Sequence, residues 1–215
     1  VYWQELVSRL WSGFSVTLEL LAWSLLFATI VGTLLAAMRV SPVPPLRAFG
    51  SSYVTLLRNT PLVVVFIIVV FGFPQLGILR GQYFWLAVVA LSSYTASFVC
   101  EVVRSGINTI HAGQIEAARS LGMTFGQALR LVVLPQAFRA AIPPLASVYI
   151  ALTKNTSVAS AFGVVEATYQ LTRLNKDFPG TLIYNFCGIA AGYIVIVFVI
   201  SAVAARFERR VGVAR

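Results

Sequence analysis

The chain has 215 residues, 59% hydrophobic and 11% charged, with a mean hydropathy of +0.86. Soluble domains carry about 45–50% apolar and about 25% charged residues, so a water-soluble fold of this length cannot hide the apolar surface and the solvent must be lipid. The net charge of +9 does not point to nucleic acid, because the basic residues lie between apolar runs, as orientation signals do, and not in one patch.

Residues 1–12 place Tyr2, Trp3, Leu6, Val7, Leu10 and Trp11 on one helical face, opposite Gln4, Glu5, Ser8 and Arg9. This pattern predicts an interfacial amphipathic helix with its tryptophans at headgroup depth. Residues 13–38 contain one charge, Glu19. As a helix they extend about 39 Å, enough to cross a hydrocarbon core of about 30 Å. Gly13 and Gly32 allow neighbouring helices to approach closely. Cys100 and Cys187 both sit in apolar runs and read as packing residues. The chain does not begin with Met, so native residues are expected before Val1, and no secretory signal peptide is recognisable.

A Pro-rich loop, Ser41-Pro42-Val43-Pro44-Pro45, precedes Leu46, Phe49, Tyr53, Leu56 and Leu57 at helical spacing. Residues 61–73 alone would extend only about 20 Å, too short to cross. The second membrane helix is therefore expected over 46–73, kinked at Pro61. Arg58 then faces an interface or a polar cavity, or snorkels. Residues 84–104 form the third span, ending in Glu101 and Arg104 at i and i+3, close enough to pair. A carboxylate at that depth is a functional candidate, with a structural ion pair as the alternative.

Residues 105–135 form a polar island. Gly122 can close a helix in a left-handed cap, and Thr124 with Gln127 has capping-box spacing. The island reads as helix, Gly turn, helix. Ala117 and Ala118 offer a smooth surface for a groove, with Glu116 and Arg119 on its rim; a solvated helical loop is the alternative. The fourth span is expected over 140–157, with Pro143 and Pro144 in its first turn. Fourteen residues from Ala140 to Thr153 cover about 21 Å, which leaves Lys154 inside the hydrocarbon. A lysine there needs water, a partner or a ligand unless it snorkels outward. Asn155, Thr156 and Ser157 add polar side chains at the same depth, making this the best internal candidate for a substrate passage. Residues 158–180 read as an outer-surface helix and loop, and 181–205 as the last span.

With the N-terminus outside and five crossings, 11 of the 16 basic residues fall on the inner side: Arg39, Arg47, Arg58, Arg104, Arg119, Arg130, Arg139, Arg206, Arg209, Arg210 and Arg215. The positive-inside rule therefore puts the island on the cytoplasmic side and the C-terminus with it. There is no G-x-x-x-x-G-K-[ST] phosphate loop, and one histidine with two separated cysteines forms no metal constellation. The chain is not expected to be an enzyme; if it pumps, another polypeptide supplies the energy.

Glu116-Ala117-Ala118, three residues, Gly122, nine residues, Val132, one residue, then Leu134-Pro135 resembles the EAA signature of permease subunits of bacterial ABC importers, with Val132 in the usual Ile place. The stretches Arg58-Asn59-Thr60-Pro61-Leu62, Glu101-Val102-Val103-Arg104-Ser105-Gly106-Ile107 and Lys154-Asn155-Thr156-Ser157 are similar to the polar amino-acid subfamily. Met38-Arg39-Val40-Ser41-Pro42-Val43 is most like the actinobacterial glutamate-uptake permeases. The resemblance implies an all-α membrane protein with about five spans, the type I importer core, in the bacterial cytoplasmic membrane. It implies a second permease subunit, identical or homologous; two ATPases carrying ATP and Mg; and an extracytoplasmic binding protein that delivers an amino acid. No cofactor is implied on the chain itself. ATPase coupling falls to Glu116, Ala117, Ala118, Arg119, Gly122, Leu134 and Pro135. Arg58, Thr60, Glu101, Arg104, Lys154, Asn155, Thr156 and Ser157 are the pathway candidates. Positive potential from Lys154 and Arg58 favours glutamate, with glutamine, arginine or histidine as alternatives. A self-contained secondary transporter would show inverted repeats and intramembrane acids; no repeat is evident. A scaffold that merely tethers an ATPase is the third reading.

Overall fold

A computed structural model describes residues 2–211 and is helical throughout, with five regions able to cross a membrane if one bent pair counts as a single span. Arg215, counted above on the inner side, lies outside the described residues.

Helix α1 (Tyr2–Val40) is one uninterrupted rod. The expected boundary between an interfacial helix and the first span, at residues 12–13, is absent. Nothing in that stretch breaks a helix, and Gly13 is used instead for close packing against Ala167. The first three turns are also not free at an interface. The Tyr2 hydroxyl donates to Asn185, and Arg9 pairs with both Glu5 and Asp177.

Helix α2 (Pro44–Asn59) meets α3 (Leu62–Ile67) at a bend of 108°, after which a π-wound turn leads into α4 (Phe73–Gln75). A single kinked helix over 46–73 is therefore replaced by two separate helices. Thr60 is extended, and Pro61 has no N–H to carry the ladder across the joint. Helix α5 (Tyr83–Asn108) runs parallel to α1 and is the most buried span. Trp23, midway along α1, lies against Trp85 near the start of α5, and Leu35 and Ala36 near the end of α1 pack with Ala96 and Cys100 further along α5. Its Leu86, Leu91 and Val88 join Leu20, Phe66 and Leu152 in the main core.

Helices α6 (Ala112–Ser120) and α7 (Phe125–Ala128) form a short hairpin. A π-wound segment, Leu129–Val133, then feeds α8 (Leu134–Asn155). Because α8 starts at Leu134 and not near 140, Pro135 occupies its first turn, and Pro143 and Pro144 are internal. The two prolines deprive the Arg139 and Ala140 carbonyls of their intrahelical donors, a local soft point. A 3₁₀ turn, helix α9 (Ala167–Asp177) and helix α10 (Leu182–Val211) complete the chain. The bundle thus has a hairpin end, holding α6 and α7, and an α9 end. Gly106 of α5 lets α8 cross at the hairpin end so closely that a Cβ there would stand 2.7 Å from the Ala137 carbonyl oxygen. Most of α10 is uncovered, with Ile183, Phe186, Phe198 and Val203 outward. Both cysteines are free; Cys100 is buried, whereas Cys187 lies exposed on α10 and does not pack.

Candidate functional site

Two local motifs set the hairpin. The Gly122 and Met123 amides donate to the Arg119 and Ala118 carbonyls at 2.9 and 3.2 Å, with Gly122 at φ +83°. This is a Schellman closure, for which glycine has the freedom. The Thr124 amide donates to Gln127 Oε1 (2.8 Å) and the Gln127 amide to Thr124 Oγ1 (3.3 Å), a reciprocal capping box. The hairpin's outward face differs from the one expected. Ala118 is buried, on a helix that packs against α7 and the Leu129–Val133 segment, so Glu116, Ala117, Arg119 and Leu121 make the exposed surface. Leu121, 82% exposed, is an apolar projection at the tip. Leu134 and Pro135 sit at the base, where Gln136 on α8 donates to Gln114 on α6 (2.8 Å).

Glu101 is not paired with Arg104, and no ion pair involves Arg104 among the described residues. The Glu101 carboxylate instead takes Arg39 from the end of α1 directly, with Arg58 from the end of α2 at 3.7 Å from the same oxygen. Arg58 is supported by the Phe98 ring, 5.6 Å from its centroid. Thr60 caps its own helix by donating to the Leu56 carbonyl (2.8 Å) and reaches no other element.

The four residues at the end of α8 are divided by the helix. Asn155 lines a groove of about 430 Å³ between α5 and α8, with Tyr94, Thr95, Phe98, Ser147 and Ala151. Lys154 and Ser157 line a groove of about 470 Å³ between α8 and α10, with Tyr193, Phe198 and Ser201. Thr156 lines neither: it is fully buried and its hydroxyl donates to the Thr153 carbonyl (2.7 Å). Arg58 and Glu101 thus associate with the Asn155 groove through Phe98, not with Lys154. Between the two grooves, α8 presents Pro144, Ser147, Ala151 and Lys154 as one exposed stripe. Small residues leading to an uncovered lysine are unsuited to lipid contact and suited to water or another polypeptide.

Sequence reading gave no role to Glu166, which is fully buried. It caps α9 by accepting from the Tyr169 amide (2.9 Å) and also accepts from the Tyr193 (2.9 Å) and Thr17 (3.3 Å) hydroxyls, so it pins α1, α9 and α10 together. Burial pushes its carboxyl above the usual carboxylate range, against the pull of these donors. The only sequence signal was an acid directly before a helical run.

The structure is a multi-span helical bundle with a capped surface hairpin and an exposed lysine between two grooves along one helix. Residues 28–213 match the family described as binding-protein-dependent transport system inner membrane component, and the chain belongs to that family. It is a multi-pass inner-membrane permease subunit. It is 42% identical over 205 residues to a glutamate transport system permease protein of Corynebacterium efficiens, covering 90% of each chain. It is 34% identical to a glutamate/aspartate import permease protein of Escherichia coli, covering 94% of this chain and 87% of that one. A solved amino acid ABC transporter with histidines superposes at a TM-score of 0.87, with 32% identity, covering 95% and 94% of the two chains. An inward-facing structure of the methionine transporter MetNI superposes at 0.76 with 24% identity and shares the fold.

Proposed function

We propose that the chain forms half of the translocation pathway of an ATP-driven importer of glutamate. The stripe Pro144–Ser147–Ala151–Lys154 would face the central pathway, and the exposed lysine on that stripe is the observation that carries this reading. A second permease subunit, identical or homologous, faces the first across the stripe. Lys154 and Arg58 give the two grooves beside α8 a positive potential that favours a carboxylate-bearing amino acid over a cationic one. The glutamate names of the two Corynebacterium relatives, 42% and 43% identical, support that choice; an arginine permease of Bacillus subtilis is 35% identical.

The hairpin end is cytoplasmic, the N-terminus is outside, and 215 residues cross five times with α2–α4 as one broken span. Two ATPases, which hold ATP and Mg, dock on the two hairpins through Glu116, Ala117, Arg119 and Leu121. Gly122, Leu134 and Pro135 hold the hairpin in place, and the buried Ala118 packs its two arms together. The extracytoplasmic binding protein delivers substrate at the α9 end. ATP and the loaded binding protein must favour the same conformation, so each strengthens the other's binding.

The test is uptake in proteoliposomes containing the complete complex, with ATP present and ion gradients collapsed. Labelled glutamate accumulates and unlabelled arginine does not compete. Competition by arginine as strong as by glutamate refutes the acidic substrate, and dependence on an ion gradient refutes the ATP-driven mechanism.

A further inference from the structure

Glu101 has one carboxylate oxygen near two guanidinium groups from different helices. Arg39 is the deeper of the two, its side chain 13% exposed against 45% for Arg58. Its Nε is buried without a hydrogen-bond partner among the described residues, and its Nη1 also reaches Cys100 Sγ at 3.9 Å. A guanidinium this enclosed depends on its carboxylate, since an unpaired buried charge is strongly disfavoured. Arg58 has no such need. At 3.7 Å it lies beyond hydrogen-bond length, it rests on the Phe98 ring, and nearly half of it meets solvent. Arg39, Glu101 and Arg58 together carry one excess positive charge, and that excess falls on the exposed member. Phe98, under Arg58, lines the groove that ends at Asn155.

We propose that Arg39 is a positioning residue that keeps Arg58 available to a substrate carboxylate by occupying Glu101. This rests on the reading of the α5–α8 groove as part of the pathway. Without Arg39, Glu101 would close the 3.7 Å gap, and a bidentate pair would take up one fork of Arg58 and neutralise its charge. Arg58 donors then face an incoming carboxylate only because a second arginine, from α1, satisfies their neighbour. The chemical class recognised is a carboxylate, and the reader is a guanidinium fork, which matches it better than a lysine would.

The experiment measures binding of labelled glutamate to the purified permease–ATPase complex without the binding protein, alongside melting temperature. R58Q and R39Q are each expected to weaken binding about tenfold or more, the effect of losing one charge-assisted hydrogen bond. R39K keeps the pair and binds as wild type. R39Q/E101Q recovers binding, because Arg58 is again unclaimed. Stability follows the opposite order: E101Q strands Arg39 and melts lowest, while R39Q leaves Glu101 with Arg58. A purely structural cluster makes binding track stability, with E101Q worse than R39Q and no recovery in the double variant; that pattern overturns the proposal. If E101Q does not fold, the comparison of R39Q with R39Q/E101Q decides alone. Wild-type binding by R58Q overturns the groove reading itself, whereas loss in R58Q with none in R39Q overturns only the role of Arg39.

Discussion

Gly106 gives a sharp test of how α5 and α8 are joined. An added Cβ would lie 2.7 Å from the Ala137 carbonyl oxygen and 3.3 Å from the Ala141 Cβ. The first neighbour is backbone, which no rotamer change can move, so the two helices must part by roughly half an ångström to reach ordinary contact. Overpacking of this kind costs about 1–3 kcal/mol. Replacing a helical glycine by alanine returns about 1 kcal/mol of helix propensity. Gly106→Ala is therefore expected to destabilise by about 0–2 kcal/mol. Gly113, inside α6, supplies the control: nothing lies within 4 Å of its position, so Gly113→Ala keeps the propensity gain and should stabilise the hairpin by up to about 1 kcal/mol. The difference between the two variants, about 1–3 kcal/mol, corresponds to roughly 2–12 °C for a chain of this size. Melting curves of the two purified variants in one detergent measure it. A Gly106→Ala protein that melts as high as Gly113→Ala would refute the close crossing.

Three further outcomes are expected. Gly122→Ala forces a Cβ into the left-handed region and should weaken the hairpin by about 1–2 kcal/mol, while Gly122→Asn costs less; recovery of the ATPase with the purified permease should fall in that order. Lys154→Met should cut glutamate uptake at least about tenfold, the cost of one charge-assisted hydrogen bond, without lowering the melting temperature, and unchanged uptake would remove Lys154 from the pathway. Because the folded Glu166 carboxyl titrates above its ordinary value of 4.5, the folded state holds the proton over a range where the unfolded chain has lost it. Stability should therefore fall as pH rises from about 4.5 through the raised folded value. Glu166→Gln should be flat over that window, and equal slopes of melting temperature against pH in the two proteins would refute the buried-acid account.

What could be read from sequence was what is local. Hydropathy gave the all-helical membrane class and the number of spans, about five, because apolar runs need lipid wherever they pack. Gly122 and the Thr124–Gln127 box were legible because their hydrogen bonds close within five residues. The partner of Glu101 was not legible. Arg104 is its neighbour in sequence, yet Arg39, 62 residues earlier, is brought to it by the parallel packing of α1 on α5. Helix α8 starts earlier than its proline pair suggests, because Pro143 and Pro144, which favour a first turn, are tolerated inside a lipid-embedded helix. The division of Lys154 from Asn155 did have a signal: consecutive helical residues point about 100° apart, so two neighbours rarely share one groove. Glu166 had almost none, since its donors come from residues 17, 169 and 193.

The unbroken course of α1 has a mechanical meaning. Its Arg9 is bonded to Asp177 of α9, and its Arg39 to Glu101, about 45 Å further along the same axis. A rod of that length turns small angles into usable displacements: a tilt of about 3° at one end moves the other by about 2 Å. That is comparable to the difference between a closed ion pair and an open one. A load placed on α9 would therefore be felt at the other end of the bundle as a change in the grip on Glu101, with no intervening hinge in α1 to absorb it.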